Sequence, residues 1–210
     1  MLCIFSVVPF AYQVRALPEL PEVEAVRRVL RPVMEGARFA KVLARRPDLR
    51  ADLPRHFAAR LQGRTVVRLR RRGKYLVADL SCGQTLLMHL GMSGSFRIDI
   101  PRRNSTARLH DHIVFHMSSG ATVTFNDPRR FGMMDLVSTA ALPEHRVFRQ
   151  LGPEPLAAEF DAAVLAGIAR GRKTTLKAAL SDQRVIAGLG NIYVSEALHS
   201  AGLSPRRRTS

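Results

Sequence analysis

Tryptophan is missing from this 210-residue chain, and cysteine occurs only at Cys3 and Cys82. Two thiols cannot furnish a four-ligand zinc site, and they do not form the framework that staples small secreted domains. No CxxC pair occurs, so no metal ligands and no cofactor are expected in this chain. Acidic residues are scarce, 17 Asp+Glu against 33 Lys+Arg, which leaves a net charge of +16. That imbalance points to a polyanionic partner, nucleic acid first, because neutralising phosphates releases counterions. No apolar run reaches bilayer-spanning length, so no membrane partner is expected. The 46% hydrophobic content argues against general disorder and suffices for one good core or two small ones.

Residues 1–17 (MLCIFSVVPFAYQVRAL) carry a single charge, Arg15, and lack the basic start of a secretory signal. They read as an upstream extension, with a reducing, cytoplasmic setting expected for the protein. The following seven residues, Pro18 to Glu24, open an amphipathic helix. Val23, Val26, Leu30, Val33 and Met34 recur at helical spacing among Arg27, Arg28 and Arg31. Pro21 suits the first turn, where its missing N–H costs nothing. On these residues alone the stretch is a capped surface helix.

From about Phe39 to Leu136 the pattern is that of β structure. Val66, Arg68 and Arg70 alternate with Val67, Leu69 and Arg71. Tyr75 to Leu80, Thr85 to Leu90, Ser95 to Ile98, Ile113 to Met117 and Thr122 to Phe125 are further strands, with Gly91, Gly94 and Ser118-Ser119-Gly120 between them. Short strands joined by such turns predict an antiparallel sandwich or barrel. Residues 151–156 (LGPEPL) form the expected interdomain linker. Helical spacing then resumes at Phe160, Val164, Leu165 and Ile168, and again at Leu176, Ala179 and Leu180. A third helix is expected over Asn191 to Ala201, with Gly202 as its stop. The fold class is therefore α+β: a sandwich domain over 18–150 with a flanking helix, then a helical domain over 151–210.

Five stretches carry the chemistry: PELPEVE at 18–24, RRGKYL at 71–76, LGMSGSFR at 90–97, FNDPRRFG at 125–132 and GLGNIYVSEAL at 188–198. Together, and in this order, they resemble the formamidopyrimidine-DNA glycosylase family, bacterial base-excision repair enzymes for oxidised purines. The resemblance runs from Pro18 to about Pro205. It implies damaged double-stranded DNA as partner, a monomer, and a bifunctional glycosylase and abasic-site lyase. It also implies that 151–210 is an incomplete helix–two-turn–helix unit.

By that resemblance Pro18 is the nucleophile that attacks the deoxyribose C1′. Terminal amines have a pKa of about 8, so a free proline amine is partly neutral at neutral pH. As written, Leu17 precedes Pro18, and an amide nitrogen is neither basic nor nucleophilic. Translation is accordingly expected to start at codon 17, read as Met. Glu19 matches the general acid that protonates the opening sugar, a role that calls for a buried carboxyl. Glu22 matches a supporting acid. Lys74 matches the lysine that contacts the lesion phosphate and assists elimination, its pKa expected to be lowered by neighbouring arginines. Arg68, Arg70, Arg71 and Arg72 are expected to form a backbone-binding stripe.

Met92, Arg129 and Phe131 match the three residues that fill the void left by a flipped base. His110, in His110-Asp111-His112, matches a DNA-contacting histidine. A metal reading of that tripeptide fails, because alternate positions on one strand supply at most two ligands on one face. Asn191 matches a phosphate-binding residue at a helix start, and Arg172 and Lys173 fit nearby phosphate contacts. Family members carry a C-terminal four-cysteine zinc finger, which is not expected here, and the last two helices should lack a covering partner. Two other readings are weighed: a catalytically inactive DNA-binding fragment, and the sister family that removes oxidised pyrimidines.

Overall fold

The computed structural model describes residues 17–100 and 106–209. Of the extension expected over residues 1–17, only Leu17 lies among them. Among the described residues the chain runs α1 (Leu20–Met34), β1 (Phe39–Ala44), α2 (Phe57–Leu61), β2 (Val66–Arg72), β3 (Tyr75–Leu80), β4 (Gln84–His89), β5 (Ser95–Asp99), β6 (Asp111–Met117), β7 (Thr122–Asn126), β8 (Met133–Ser138), α3 (Ala162–Ala169), α4 (Leu176–Ser181) and α5 (Asn191–Ser200). The strands make two four-stranded antiparallel sheets, ordered β1-β6-β7-β5 and β2-β3-β4-β8.

Apolar side chains from both sheets meet in one core. Phe39, Phe115 and Phe125 are fully buried, and the Phe39–Phe115 and Phe96–Phe125 ring pairs both lie 5.2 Å apart. Each such tilted aromatic pair adds about 0.5–1.5 kcal/mol beyond its buried area. Helix α1 closes one flank, burying Val23, Val26, Leu30 and Met34 as its spacing predicts, with Val33 packed partly against the core. Helix α2 interrupts the stretch read as β throughout. Phe57 and Leu61 are one turn apart and both buried, but five residues are too few to produce a readable helical period.

The linker at 151–156 is tied on both sides. Gly152 N–H donates to the Gln183 carbonyl at 2.9 Å, and Ala187 N–H to the Pro153 carbonyl at 3.0 Å. The Glu154 carboxylate accepts from Arg71 at 2.7 Å, from Arg72 at 3.0 Å and from the Gly73 amide. This corrects the expected stripe of phosphate-binding arginines. Arg70 forms a two-pronged pair with Asp79, both bonds 2.8 Å, and Arg71 and Arg72 are spent on the linker. Of the four, Arg68 alone is exposed. Asp79 lies across on β3 and Glu154 some eighty residues on, so alternation along β2 could not reveal them.

In the C-terminal part, Asp161 caps α3 by accepting from Val164 N–H at 2.8 Å, and Thr175 caps α4 through Ala178 N–H at 3.2 Å. Helix α5 buries Val194 and Leu198, and Gly202 stops it at φ 65°. Helix α3 buries no residue. The basic tail also has a place: Leu176 N–H donates to the Arg207 carbonyl at 2.8 Å, and Thr209 N–H to that of Thr174 at 3.1 Å.

Candidate active site and DNA interface

Several segments converge on one cleft of about 600 Å³, and four of them carry the candidate residues. The start of α1 brings Pro18 and Glu19, and the β2–β3 turn brings Lys74. The end of β4 and its following loop bring His89 and Met92, and the N-terminus of α5 brings Gly190 and Asn191.

Glu19 is 5% exposed, and its two oxygens accept from Gly190 N–H at 2.7 Å and Ile192 N–H at 3.0 Å. These are free amides at the positive end of α5, where an acidic side chain is favoured. Residues 171 positions apart are thus locked together, and α1 is seated on the helical segment. Leu20 N–H reinforces this by donating to the Gly188 carbonyl at 3.1 Å. Glu22 accepts from Glu19 N–H at 2.9 Å and from the Tyr193 hydroxyl at 2.6 Å. That hydrogen bond, with burial and nearby carboxylates, pushes the Tyr193 phenol up to about 12, so it remains a donor.

Lys74 stands beside Glu19: a Cβ placed on Gly190 would collide with both the Glu19 carboxyl and the Lys74 Nζ. The Lys74 ammonium is pushed below its usual range by burial, while Glu19 and Glu22 pull it back up. The expected direction stands, but the cause is corrected: burial, not the arginines. Pro18 is buried and Leu17, to which its nitrogen is bonded, is exposed.

His89, unremarked in the sequence, lines this cleft. Burial foremost, then the charges of Lys74 and Arg50, push its imidazole down to about 4. It is therefore neutral at pH 7. Its Nδ1 accepts from Gly91 N–H at 2.9 Å, which leaves the proton on Nε2. Between pH 6.5 and about 4 the unfolded chain binds a proton that the folded chain refuses, so stability falls as pH drops through that window. The loss amounts to about 3 kcal/mol at most. Thermal melts from pH 7 to 4.5 should show this slope, and His89→Gln should flatten it. Glu24, held down to about 2 by Arg27 foremost, loses its contribution only as pH falls from about 4.5 toward 2, which separates the two effects.

On the rim, the β4–β5 loop and the β7–β8 loop lie against each other. Met92 and Phe131 are each 41% exposed, a high value for large apolar side chains in a chain with a filled core. The Arg129 guanidinium sits 4.8 Å above the Phe131 ring. His110 is not on a strand as expected. It occupies the turn before β6 at φ 69°, beside buried Asp111, whose carboxylate accepts from Arg97 at 3.0 Å and from Arg108 N–H and Asn126, both at 2.9 Å. His112 is buried, its Nε2 bonded to the Asp127 carbonyl at 2.9 Å.

Asn191 is exposed, the first residue of α5, and borders the cleft. Arg172 and Lys173 lie in the α3–α4 loop and do not line the cleft, with Arg172 Nε donating to the Ile168 carbonyl at 2.8 Å and Lys173 exposed. The family's structural zinc finds no fit among the described residues. Cys82 is exposed, and no group of three or more His, Cys, Asp or Glu is placed to hold a metal ion. No helix among them is long and apolar enough to cross a membrane.

Two family models match the chain: the formamidopyrimidine-DNA glycosylase N-terminal domain over residues 17–134, and the H2TH domain of the same enzymes over 151–210. The formamidopyrimidine-DNA glycosylase of Bradyrhizobium diazoefficiens is 58% identical over 203 residues, covering 91% of this chain and 69% of that protein. The Lactococcus lactis enzyme bound to DNA containing N7-benzyl-Fapy-dG superposes with a TM-score of 0.82 at 32% identity, covering 91% of this chain and 70% of that one. The same enzyme bound to DNA containing an oxidised pyrimidine matches with the same score and identity, covering 91% of this chain and 71% of that one. With both family models in chain order and more than half its residues shared with an enzyme of that name, this chain belongs to the formamidopyrimidine-DNA glycosylase family, the DNA glycosylases of base-excision repair.

Proposed function

We propose that the protein removes oxidised purines, 8-oxoguanine and formamidopyrimidines, from duplex DNA and then cleaves the strand at the abasic site. The observation that carries this reading is the meeting of Pro18, Glu19 and Lys74 in one cleft, beneath the exposed Met92. The target base leaves the stack, and Phe131, Met92 and Arg129 occupy its place, Arg129 bonding the orphaned cytosine. The Pro18 nitrogen, as a free secondary amine, bonds to C1′ while the glycosidic bond breaks, and the departing base takes up the proton that the nitrogen sheds. Glu19 gives its proton to the sugar ring oxygen as the ring opens, leaving an iminium between Pro18 and C1′. The C2′ proton is then lost to water, its bonding electrons enter that electron sink, and the 3′ phosphate leaves from C3′ with its bonding pair, while Lys74, beside Glu19, neutralises the phosphate charge. His110 and Asn191 hold flanking phosphates. One chain supplies every group, which supports a monomer, working on the DNA in the cytoplasm.

The experiment is release of free base from duplexes carrying 8-oxoguanine or an oxidised pyrimidine, using protein that begins at Pro18. Faster release of the purine supports the reading, and faster release of the pyrimidine transfers the protein to the sister specificity. One observation favours the inactive DNA-binding fragment for the chain as written, the Leu17–Pro18 peptide bond. An amide nitrogen cannot form the iminium.

A further inference from the structure

A carboxyl group with no solvent exposure lies beneath the two rim loops. Asp127 is 0% exposed, and its two oxygens serve different loops. Oδ1 accepts from the Ser93 hydroxyl at 2.5 Å, and Oδ2 accepts from Gly132 N–H at 2.7 Å. Ser93 in turn accepts from Arg129 N–H at 3.1 Å. Both ends of the segment Arg129 to Gly132 are therefore pinned to one carboxyl, and the Met92 loop is pinned to it through Ser93. Between the pins Arg130 adopts φ 55°, a conformation that costs a non-glycine residue energy unless its surroundings enforce it. The loops also touch directly: a Cβ on Gly91 would strike the backbone of Phe131. Burying a carboxyl is costly, and here the cost is offset only by bonds that fix loop positions.

We propose that Asp127 and Ser93 are positioning residues that hold Met92, Arg129 and Phe131 as one preformed wedge before DNA arrives. This rests on the reading that those three side chains fill the void behind a flipped base. A wedge assembled in advance enters the duplex without ordering two loops at that moment, so its advantage lies in the speed of extrusion. Neither residue touches DNA; each acts through the wedge.

The test is stopped-flow fluorescence of 2-aminopurine placed next to 8-oxoguanine in duplex DNA, which reads extrusion independently of bond cleavage. Ser93→Ala should slow this phase about tenfold, a positional loss of the kind a misplaced group produces, while Ser93→Thr, which keeps the hydroxyl, should restore it. The Ser93→Ala effect should shrink in a Phe131→Ala background, because a residue acting through the wedge then has only Met92 and Arg129 left to position. Equal slowing by Ser93→Ala in both backgrounds would mean a general structural role and overturn the proposal, as would an unchanged rate in the single variant. An extrusion phase unaffected by Phe131→Ala would sink the void-filling reading itself, and the positioning role with it. Asp127→Asn should behave as Ser93→Ala where it folds, and the serine variants decide the matter where it does not.

Discussion

Protein that begins at Pro18 should form a borohydride-stable covalent adduct with duplex DNA containing an abasic site, and the chain carrying Leu17 ahead of Pro18 should form none. The difference is one of bonding. In the Leu17–Pro18 peptide the nitrogen lone pair is shared with the carbonyl, so it can neither accept a proton near neutral pH nor attack C1′. Freed, the same nitrogen is a secondary amine with a pKa of about 8, part of it neutral and nucleophilic at pH 7. Little rearrangement stands in the way. Glu19, next along the chain, is held by α5, and Pro18 already borders the cleft. Trapping by both forms would show that a different amine, such as Lys74 in the same cleft, makes the adduct. Pro18→Gly at the new terminus separates these cases, since it keeps a terminal amine while Lys74→Ala removes the alternative.

Gly190→Ala should abolish most activity while leaving the fold in place. The Gly190 N–H would still be available to Glu19, so the substitution adds volume and removes no hydrogen bond. The added methyl would occupy space held by the Glu19 carboxyl and the Lys74 ammonium. At least one of the two must move, and displacing a reacting group by about 1 Å costs on the order of a hundredfold in rate. Overpacking should lower stability by about 1–3 kcal/mol, within what a core of this size tolerates. Gly167→Ala is the matched control: nothing lies within 4 Å of its added Cβ on exposed α3, and removing a helical glycine should stabilise by about 0.5–1 kcal/mol. The measurement is kcat/KM on abasic duplex together with a melting curve. An active Gly190→Ala variant with an unchanged melt would mean that Glu19 and Lys74 do not work at that position.

Much of the fold was legible because its signals are local. The α1 spacing named Val23, Val26, Leu30 and Met34, all buried, and Gly202 ended α5 as its position implied. The positions of β2 to β7 followed from alternation and from glycine turns, while β1 and β8 were read only as part of a β-rich stretch. Misread features depend on partners distant in the chain. Arg71 and Arg72 looked like phosphate ligands until Glu154, some eighty residues on, claimed them. His89 resembled any strand residue, because its neutrality arises from burial and from Lys74 and Arg50.

The sequence by itself determined the class of partner, through its surplus of arginine, and the chemical inventory, through Pro18, Glu19, Lys74 and the Met92, Arg129, Phe131 set. These are matters of which atoms are present. Only the tertiary structure decided which of those atoms can act together. Glu19 is seated by amides 171 positions away, Lys74 is depressed by burial, and two loops are joined through the buried carboxyl of Asp127. Burial and hydrogen bonding between distant segments arise only when the chain closes on itself, so no spacing along it could have announced them.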